Sequence, residues 1–492
     1  SRVRGASRSA ASRVMLRSVT RLSHASGNVR FGPLPSINRK ASFRFEAVPG
    51  DSRTGPVITM PVVRRHEELQ RKLRRAAQIF ESSPFNIYTG PESPEVCIIT
   101  SSACTFYSRE ATALLGCEDR VGILKLGTTW PLPADLVMRH LARAPKVLFL
   151  EEVLPFIEEN VKVIAAERAS EIGPTLFYGK NDGTVPMIGE LNPDIAARAL
   201  ARVMGMEYVP SEETYRTAAR RIAEEMAPPR DLTFCPGCPH RASFWGLHHA
   251  LTLDNRRGFV CGDIGCYTLG FLPCGFNVMK TSHSMGSGIG IASGFGKLAG
   301  FGFDQPVAAI CGDSTFFHAA IPAFINAVHN QADLLFVLLD NSGTAMTGFQ
   351  PHPGLPFDAV GEALPAVDAA SICSALGVPV VVADPFNVSE TQEILLDLLG
   401  KNGVRVIVMR QACALSPEKK GKKKFAMRVE AEACRGAACG CNRLCTRIFR
   451  CPGLVWNASI EAACIDEVIC AGCGVCASIC PAGAIRREEI TT

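Results

Sequence analysis

The chain has 492 residues, 47% of them hydrophobic and 20% charged, with a formal net charge of +5 and 21 cysteines. At roughly 150 residues per domain this suggests about three domains, and every apolar stretch meets charge, Gly or Pro before about 18 residues, so no membrane span is legible. The small, dispersed charge gives no reason to expect a nucleic-acid partner, and a disulfide scaffold would be far shorter, so the cysteines point to metal or redox use.

The first thirty residues carry seven Arg and no Asp or Glu among many Ser and Ala, the composition of an organellar transit peptide. Val14 to Leu22 reads equally as an interior strand with its exit loop, and a truncated start is the preferred expectation. Between Gly55 and Ser83, apolar positions at helical spacing in VVRRHEELQRKLRRAAQIF predict one amphipathic helix with a solvated basic face. From Glu95, short apolar strands alternate with helices: VCIITSS, a helix through Thr112, VGILKLG, a helix from Leu136, then VLFLEE. That alternation predicts α/β architecture with a doubly wound parallel sheet. A helical pattern runs from Leu191 to about Met226, and Ala227-Pro-Pro-Arg230 marks a boundary.

A second α/β unit is expected from about Leu232 to Leu415, with buried strands PVAAICGD, LLFVLLDN, VPVVVAD and VRVIVMR. Lys419, Lys420, Lys422, Lys423 and Lys424 then form a polar joint, read as a solvated linker or as a docking patch for an acidic electron acceptor. Eleven cysteines lie between Cys413 and Cys480, so the tail is expected to be built around something other than side-chain packing.

The strongest chemical signal is Cys470-Ala-Gly-Cys473-Gly-Val-Cys476-Ala-Ser-Ile-Cys480-Pro481, the C-x2-C-x2-C-x3-C-P run of bacterial-type ferredoxins. Zinc is the weaker reading, since zinc prefers paired C-x2-C knuckles. An irregular second run precedes it: Cys434, Cys439, Cys441, Cys445 and Cys451-Pro452. By cross-ligation Cys451 completes the [4Fe-4S] cube of Cys470, Cys473 and Cys476, and Cys480 completes the other. Spacing does not decide which three of Cys434, Cys439, Cys441 and Cys445 hold that other cube; the reading leans to Cys439, Cys441 and Cys445. Cys464 reads as a small hydrophobe.

A second signal is Gly312-Asp313-Ser314 at the end of a strand, followed one helix and one strand later by Asp340-Asn341. It looks like a thiamine diphosphate motif, a G-D-G then Asn, with Ser314 for the third Gly. A diphosphate needs Mg²⁺, and Mg²⁺ needs hard oxygen ligands. Asp313 and Asn341 would supply side-chain oxygens and Gly343 its carbonyl, with phosphate donors around Ser314 and Thr315. G-D-S after a strand also occurs at ordinary turns.

A third group lies in the same unit: Cys235-Pro-Gly-Cys238-Pro-His240, Gly265-Cys266, and Cys413 after the last strand. Four cysteines at strand ends and loops would hold a cube beside the thiamine; a zinc knuckle or inert thiols are the alternatives. His240 is either a ligand or diphosphate contact, or a capping or core histidine. The glycines of SMGSGIGIASGFGK match a dinucleotide fingerprint poorly, with no strand expected before them, and close helix packing explains them better.

Together CPGCPHR (235 to 241), GDIGCYTLG (262 to 270), GDSTFFH (312 to 318) and DNSGTAMTGFQPHPG (340 to 354) resemble the alpha subunit of indolepyruvate:ferredoxin oxidoreductase, over about Val14 to Ile485. The resemblance implies a remnant of a pyrimidine-binding domain (1–50), a connector (51–90), a transketolase C-terminal-like domain (91–229), a thiamine diphosphate-binding domain (230–416) and a two-cluster ferredoxin-like α+β domain (425–492). It implies that Cys235, Cys238, Cys266 and Cys413 hold the cluster nearest the thiamine. The implied reaction is oxidative decarboxylation of indolepyruvate and other aryl pyruvates to an acyl-CoA, with coenzyme A as co-substrate. Electrons would leave through [4Fe-4S] clusters to ferredoxin, in an α2β2 assembly with a small beta subunit, in the cytoplasm. The family's glutamate that polarises the aminopyrimidine belongs to a domain mostly absent here, so no catalytic residue is assigned. A sister enzyme for another 2-oxoacid, or a non-catalytic iron-sulfur electron-transfer subunit, are the rival readings.

Overall fold

The computed structural model describes residues 15–16, 18–33, 61–227, 231–439 and 443–490. The chain divides into two compact units, Ser1–Pro228 and Pro229–Thr492. No helix among the described residues is long and apolar enough to cross a membrane.

In the first unit the helix α1 (Val62–Phe80) buries only Ala76. A five-stranded α/β sheet follows: β1 (Ile87–Thr89), β2 (Val96–Thr100), β3 (Val121–Lys125), β4 (Lys146–Leu150) and β5 (Leu176–Tyr178), in spatial order β1-β3-β2-β4-β5. Only β1 is antiparallel. Every residue of β2 is buried, as expected for a strand covered on both faces. After β4, the buried Glu151 accepts from the amides of Ile157 and Glu158 at 2.8 and 2.9 Å, capping the start of Phe156–Glu167. The helical stretch expected from Leu191 to Met226 is two helices, Pro193–Met204 and Glu213–Met226. Gly205, left-handed at φ +69°, ends the first of them. The described part of Val14 to Leu22 is not a strand: Thr20–Ser23 is one helical turn and Met15 and Leu16 are exposed.

The second unit is built on a six-stranded, all-parallel sheet: β6 (Phe259–Gly262), β7 (Met279–Ser282), β8 (Val307–Gly312), β9 (Leu334–Asp340), β10 (Val380–Ala383) and β11 (Val404–Arg410). The spatial order is β10-β11-β9-β8-β6-β7. Strands β8, β9, β10 and β11 are those the apolar runs predict. β6 and β7 carry too few apolar residues to signal themselves, and β7 corrects the expectation that no strand precedes the glycine-rich segment. That segment forms the helix Ser287–Phe295, entered through Gly286 at φ +86°. One core runs through the sheet and its helices.

The tail has two antiparallel pairs, β12 (Phe425–Val429) with β15 (Ile485–Glu489) and β13 (Leu454–Asn457) with β14 (Ala462–Ile465). Its apolar cluster is small, and Cys476 is among its buried members.

The glycine-rich helix lies tight on β6. A Cβ on Gly288 would meet Gly262 C at 3.0 Å, Gly262 Cα at 3.1 Å and the Cys261 carbonyl at 3.2 Å, whereas Gly290 has nothing within 4 Å. Gly288→Ala should therefore destabilise by about 1–3 kcal/mol through overpacking, and Gly290→Ala should stabilise by up to about 1 kcal/mol by restricting the unfolded chain. Melting temperatures of the two variants check this; equal shifts would contradict it.

Candidate functional site

In the parallel sheet the chain leaves β6 toward β7 on one side and returns as β8 on the other. The crevice between their carboxyl ends is thus a topological switch point, where open α/β sheets bind ligands. One cleft there is lined by Ile264 to Tyr267 after β6, Gly312 to Thr315 after β8, and Asn341 with Gly343 to Thr347 after β9, together with His240.

Asp313 is 3% exposed and opens a helical stretch that passes through a π-turn at Phe316–Ala320 into Ile321–His329, a local widening common at functional sites. Its carboxylate accepts from Ser314 N at 2.8 Å and Gly343 N at 3.1 Å, and His352 Nε2 lies 3.3 Å away. The Asn341 amide faces the Gly343 carbonyl oxygen at 2.9 Å and both Asp313 oxygens at 3.3 Å, and with its nitrogen inward it donates to all three. Turned about, the same amide brings its oxygen beside that carbonyl and carboxylate, and all three are the hard oxygen donors that Mg²⁺ takes. Octahedral Mg²⁺ at about 2.0–2.1 Å from its ligands sets neighbouring oxygens about 2.9 Å apart. Asp313, Asn341 and the Gly343 carbonyl therefore fit a hard divalent cation.

Beneath this group, Tyr267 donates to Asp263 and shares a 3.0 Å hydrogen bond with Thr315. Asp263 is fully buried and accepts from Gly286 N at 3.0 Å; burial nevertheless pushes its carboxyl above the usual range. His240 is buried edge-on to Phe234 and Tyr267. Burial pushes its pKa down to about 4, opposed by the Asp313 charge, so the ring is neutral near pH 7.

The cysteines after β6 and β11 reach the same end of the sheet. Cys413 N donates to the Asn341 carbonyl at 2.9 Å, tying a thiol loop to the oxygen cluster. Cys266 is pushed up to about 11 by burial and by the neighbouring Cys413 and Cys235. Cys238 precedes the helix Pro239–Asp254, with the amides of Arg241 and His240 bonded to its sulfur, and burial pushes it to about 12.

In the tail, one small cavity is lined by Cys451, Cys470, Cys473 and Cys476, and a second by Cys434, Cys439, Cys445 and Cys480. Cys434, which spacing left open, stands with the second group; Cys441 lies outside the described residues. Cys464 lies half-buried on β14 and lines neither cavity. Among the described residues no three His, Cys, Asp or Glu side chains converge tightly enough to hold a single ion. Zinc, at about 2.3 Å from each sulfur, demands such convergence, whereas an iron-sulfur cube spreads four thiolates over its outer corners.

Arg241 is a feature the sequence reading missed. It is 2% exposed. One guanidinium nitrogen donates to the carbonyls of Phe449 and Arg450 at 2.8 and 2.9 Å, and another to Thr233 at 3.2 Å and to the Phe234 carbonyl. Its Nε has no partner, and among the described residues it makes no ion pair with a carboxylate. Burial lowers its pKa, and the charges that oppose this are Cys451, Cys238, Cys274 and Cys235. A buried cation without an acid costs several kcal/mol, and the negative charge within reach is that of thiolates. This environment fits metal-bound sulfur on both sides of Arg241, the Cys235–Cys238 loop and the Cys451 loop. An arginine next to a cysteine motif on an otherwise apolar helix face was the available signal.

The family described as thiamine pyrophosphate enzyme, C-terminal TPP binding domain, matches residues 263–409, a span that contains Asp263, Asp313 and Asn341. Indolepyruvate oxidoreductase subunit IorA of Pyrococcus abyssi is 35% identical over 494 residues, covering 96% of this chain and 73% of that protein. Its counterpart in Methanothermobacter thermautotrophicus is 36% identical, covering 96% and 72%, and that of Archaeoglobus fulgidus 34%, covering 97% and 72%.

Asp313→Ala should weaken Mg²⁺-dependent thiamine diphosphate binding by roughly a hundredfold or more, since even residues behind a metal's ligands carry about 10–100-fold. Calorimetric titration of the variant with the cofactor checks this, and unchanged affinity would remove Asp313 from the site.

Proposed function

The chain belongs to the indolepyruvate oxidoreductase subunit IorA family, an oxidoreductase family, and from that membership we propose that it oxidises 2-oxoacids with thiamine diphosphate, its preferred substrate being indolepyruvate. Coenzyme A takes the acyl product and ferredoxin the electrons, and a small beta subunit completes an α2β2 assembly in the cytoplasm. The observation that carries this reading is the hydrogen bond from Cys413 N to the Asn341 carbonyl, which sets a thiol loop directly beside the oxygen cluster.

Bound thiamine diphosphate supplies a carbanion and an electron sink for decarboxylation, and bound [4Fe-4S] clusters accept the electrons singly. The chain's own residues hold and orient these groups. Asp313, Asn341 and the Gly343 carbonyl would hold Mg²⁺; the amides and hydroxyls of Ser314 and Thr315 would meet the diphosphate. His240, neutral and packed between aromatic rings, would contact it without adding charge.

Cys235, Cys238, Cys266 and Cys413 would hold the cluster nearest the thiamine. Cys451, Cys470, Cys473 and Cys476 would hold the second, and Cys480 with three of Cys434, Cys439, Cys441 and Cys445 the third; Cys434, Cys439, Cys445 and Cys480 line one cavity. The contact between the first two sites supports an electron route: a Cβ on Gly237, between Cys235 and Cys238, would lie 2.6 Å from Ala471 Cβ and 3.8 Å from Cys473 Cβ. On this reading residues 230–416 form the diphosphate-binding domain, 425–492 the ferredoxin-like domain and 91–229 the transketolase C-terminal-like domain. Residues 51–90 act as connector, and 1–50 as the end of a pyrimidine-binding domain.

The test is the anaerobic holoenzyme with coenzyme A, ferredoxin and either indolepyruvate or pyruvate. Coenzyme A-dependent ferredoxin reduction with kcat/KM at least roughly tenfold higher for indolepyruvate, about 1.4 kcal/mol of discrimination, is expected. Preference for pyruvate would overturn the substrate assignment, and reducible clusters without oxidation of either acid would leave an electron-transfer subunit.

A further inference from the structure

In the second unit, a cleft of about 820 Å³ lies over the cysteine loops. Its floor includes Gly237, Ala414, Ala471 and Gly472, which neighbour Cys235, Cys238, Cys413, Cys470 and Cys473 in sequence. These segments touch: the Cβ that Gly237 lacks would sit 2.6 Å from Ala471 Cβ and 3.4 Å from Ala414 Cβ. Nothing larger than a methyl group at those four positions separates the cysteine loops from whatever enters the cleft.

The rim carries the opposite character. Five lysines from Lys419 to Lys424 and Arg487 face two carboxylates, Asp384 and Glu418, a surplus of four positive charges on a chain whose whole formal charge is +5. Among the described residues none of these lysines makes an ion pair. Lys423 donates to the Glu467 carbonyl and Lys419 to the Gln411 amide oxygen, while Lys424 lies 5.1 Å over the Phe425 ring. Beside them are exposed apolar side chains, with Val468 95%, Leu415 45% and Ile469 43% exposed. A compact apolar patch ringed by uncompensated charge is the pattern of a transient protein interface, in which charge steers encounter and apolar contact seats the partner.

We infer that this cleft is the docking surface for a small acidic one-electron carrier protein, brought by the lysine rim to the cysteine loops on its floor. The inference rests on the reading that those loops hold iron-sulfur clusters, and it commits to a protein partner because an anionic cofactor would not need the exposed Val468 and Ile469. Electron transfer requires close approach, and here the charged rim surrounds a floor of small residues next to the cysteines.

The test uses the anaerobic holoenzyme and its triple variant Lys420→Glu, Lys422→Glu, Lys424→Glu, none of whose native side chains donates a hydrogen bond among those described. Direct binding of an acidic ferredoxin, measured at low salt by calorimetry, should weaken roughly tenfold or more and lose most of its salt dependence. Iron content, and 2-oxoacid-dependent reduction of methyl viologen, should not fall. The triple Gln variant should lie between, which separates charge from misfolding. Unchanged ferredoxin affinity at full iron content, or weakened coenzyme A affinity in its place, would overturn the docking site. Because binding is read without turnover, a wild type that binds ferredoxin with this salt dependence but oxidises no 2-oxoacid would sink the proposed activity and leave the docking surface standing.

Discussion

Six strands running in one direction decide where chemistry can collect in the second unit. Parallel pairing puts every carboxyl end at the same edge of the sheet, so the residues after β6, β8, β9 and β11 must meet there. The pairing even continues past the strands, Gln411 N donating to the Asp340 carbonyl at 3.0 Å and Cys413 N to the Asn341 carbonyl at 2.9 Å. A slip of one residue between β9 and β11 would turn each side chain to the other face and part the cysteine from the oxygen cluster. The buried register Val404↔Leu334 through Arg410↔Asp340 prevents it. Geometry at the site is thus inherited from packing in the sheet.

Around Asp313 a carboxylate, an amide and a backbone carbonyl meet, donors of the kind a hard cation takes. Around Arg241 a buried group is left unbalanced, a guanidinium sealed between the rings of Phe234 and Phe449 with no carboxylate beside it among the described residues. Hydrogen bonds from a charged donor contribute about 1.5–3 kcal/mol each, enough to offset much of a desolvation penalty of several kcal/mol, yet Nε remains unpartnered. Of the thiols that face it, Cys238 is pushed up to about 12 and Cys274 upward by burial, so that without metal these two stay protonated and cannot serve as its counter-charge. Bound to metal, cysteines are thiolates. The cation and the two cysteine loops are mutually dependent in this sense.

Much of this was legible from residue order. Long apolar runs such as LLFVLLDN declare buried parallel strands, and Asp313 and Asn341, read from the ends of two of them, line one cleft. Strands β6 and β7 escaped because FVCG and MKTS are four residues long and mix polar with apolar positions, too short for a period to show. Spacing left Cys434 open among four candidates, and the π-turn at Leu444–Phe449, bounded by left-handed Arg443 and Arg450, is a backbone irregularity that spacing rules do not describe. Arg241, Asp263 and Tyr267 act through burial and long-range contact, which single-chain patterns do not encode. The regular run from Cys470 to Cys480 was legible because its spacing alone carries the geometry.

Three groups of cysteines are proposed to hold iron-sulfur clusters, one of them beside a thiamine diphosphate site. Metal analysis of the anaerobically purified holoenzyme, with EPR of the dithionite-reduced sample and assay of bound thiamine, addresses this directly. About twelve irons per chain from three [4Fe-4S] clusters, spin-coupled low-temperature signals and bound thiamine diphosphate are expected. About eight irons would remove the cluster at Cys235, Cys238, Cys266 and Cys413, and zinc in place of iron, or iron without thiamine, would overturn the assignment of these sites.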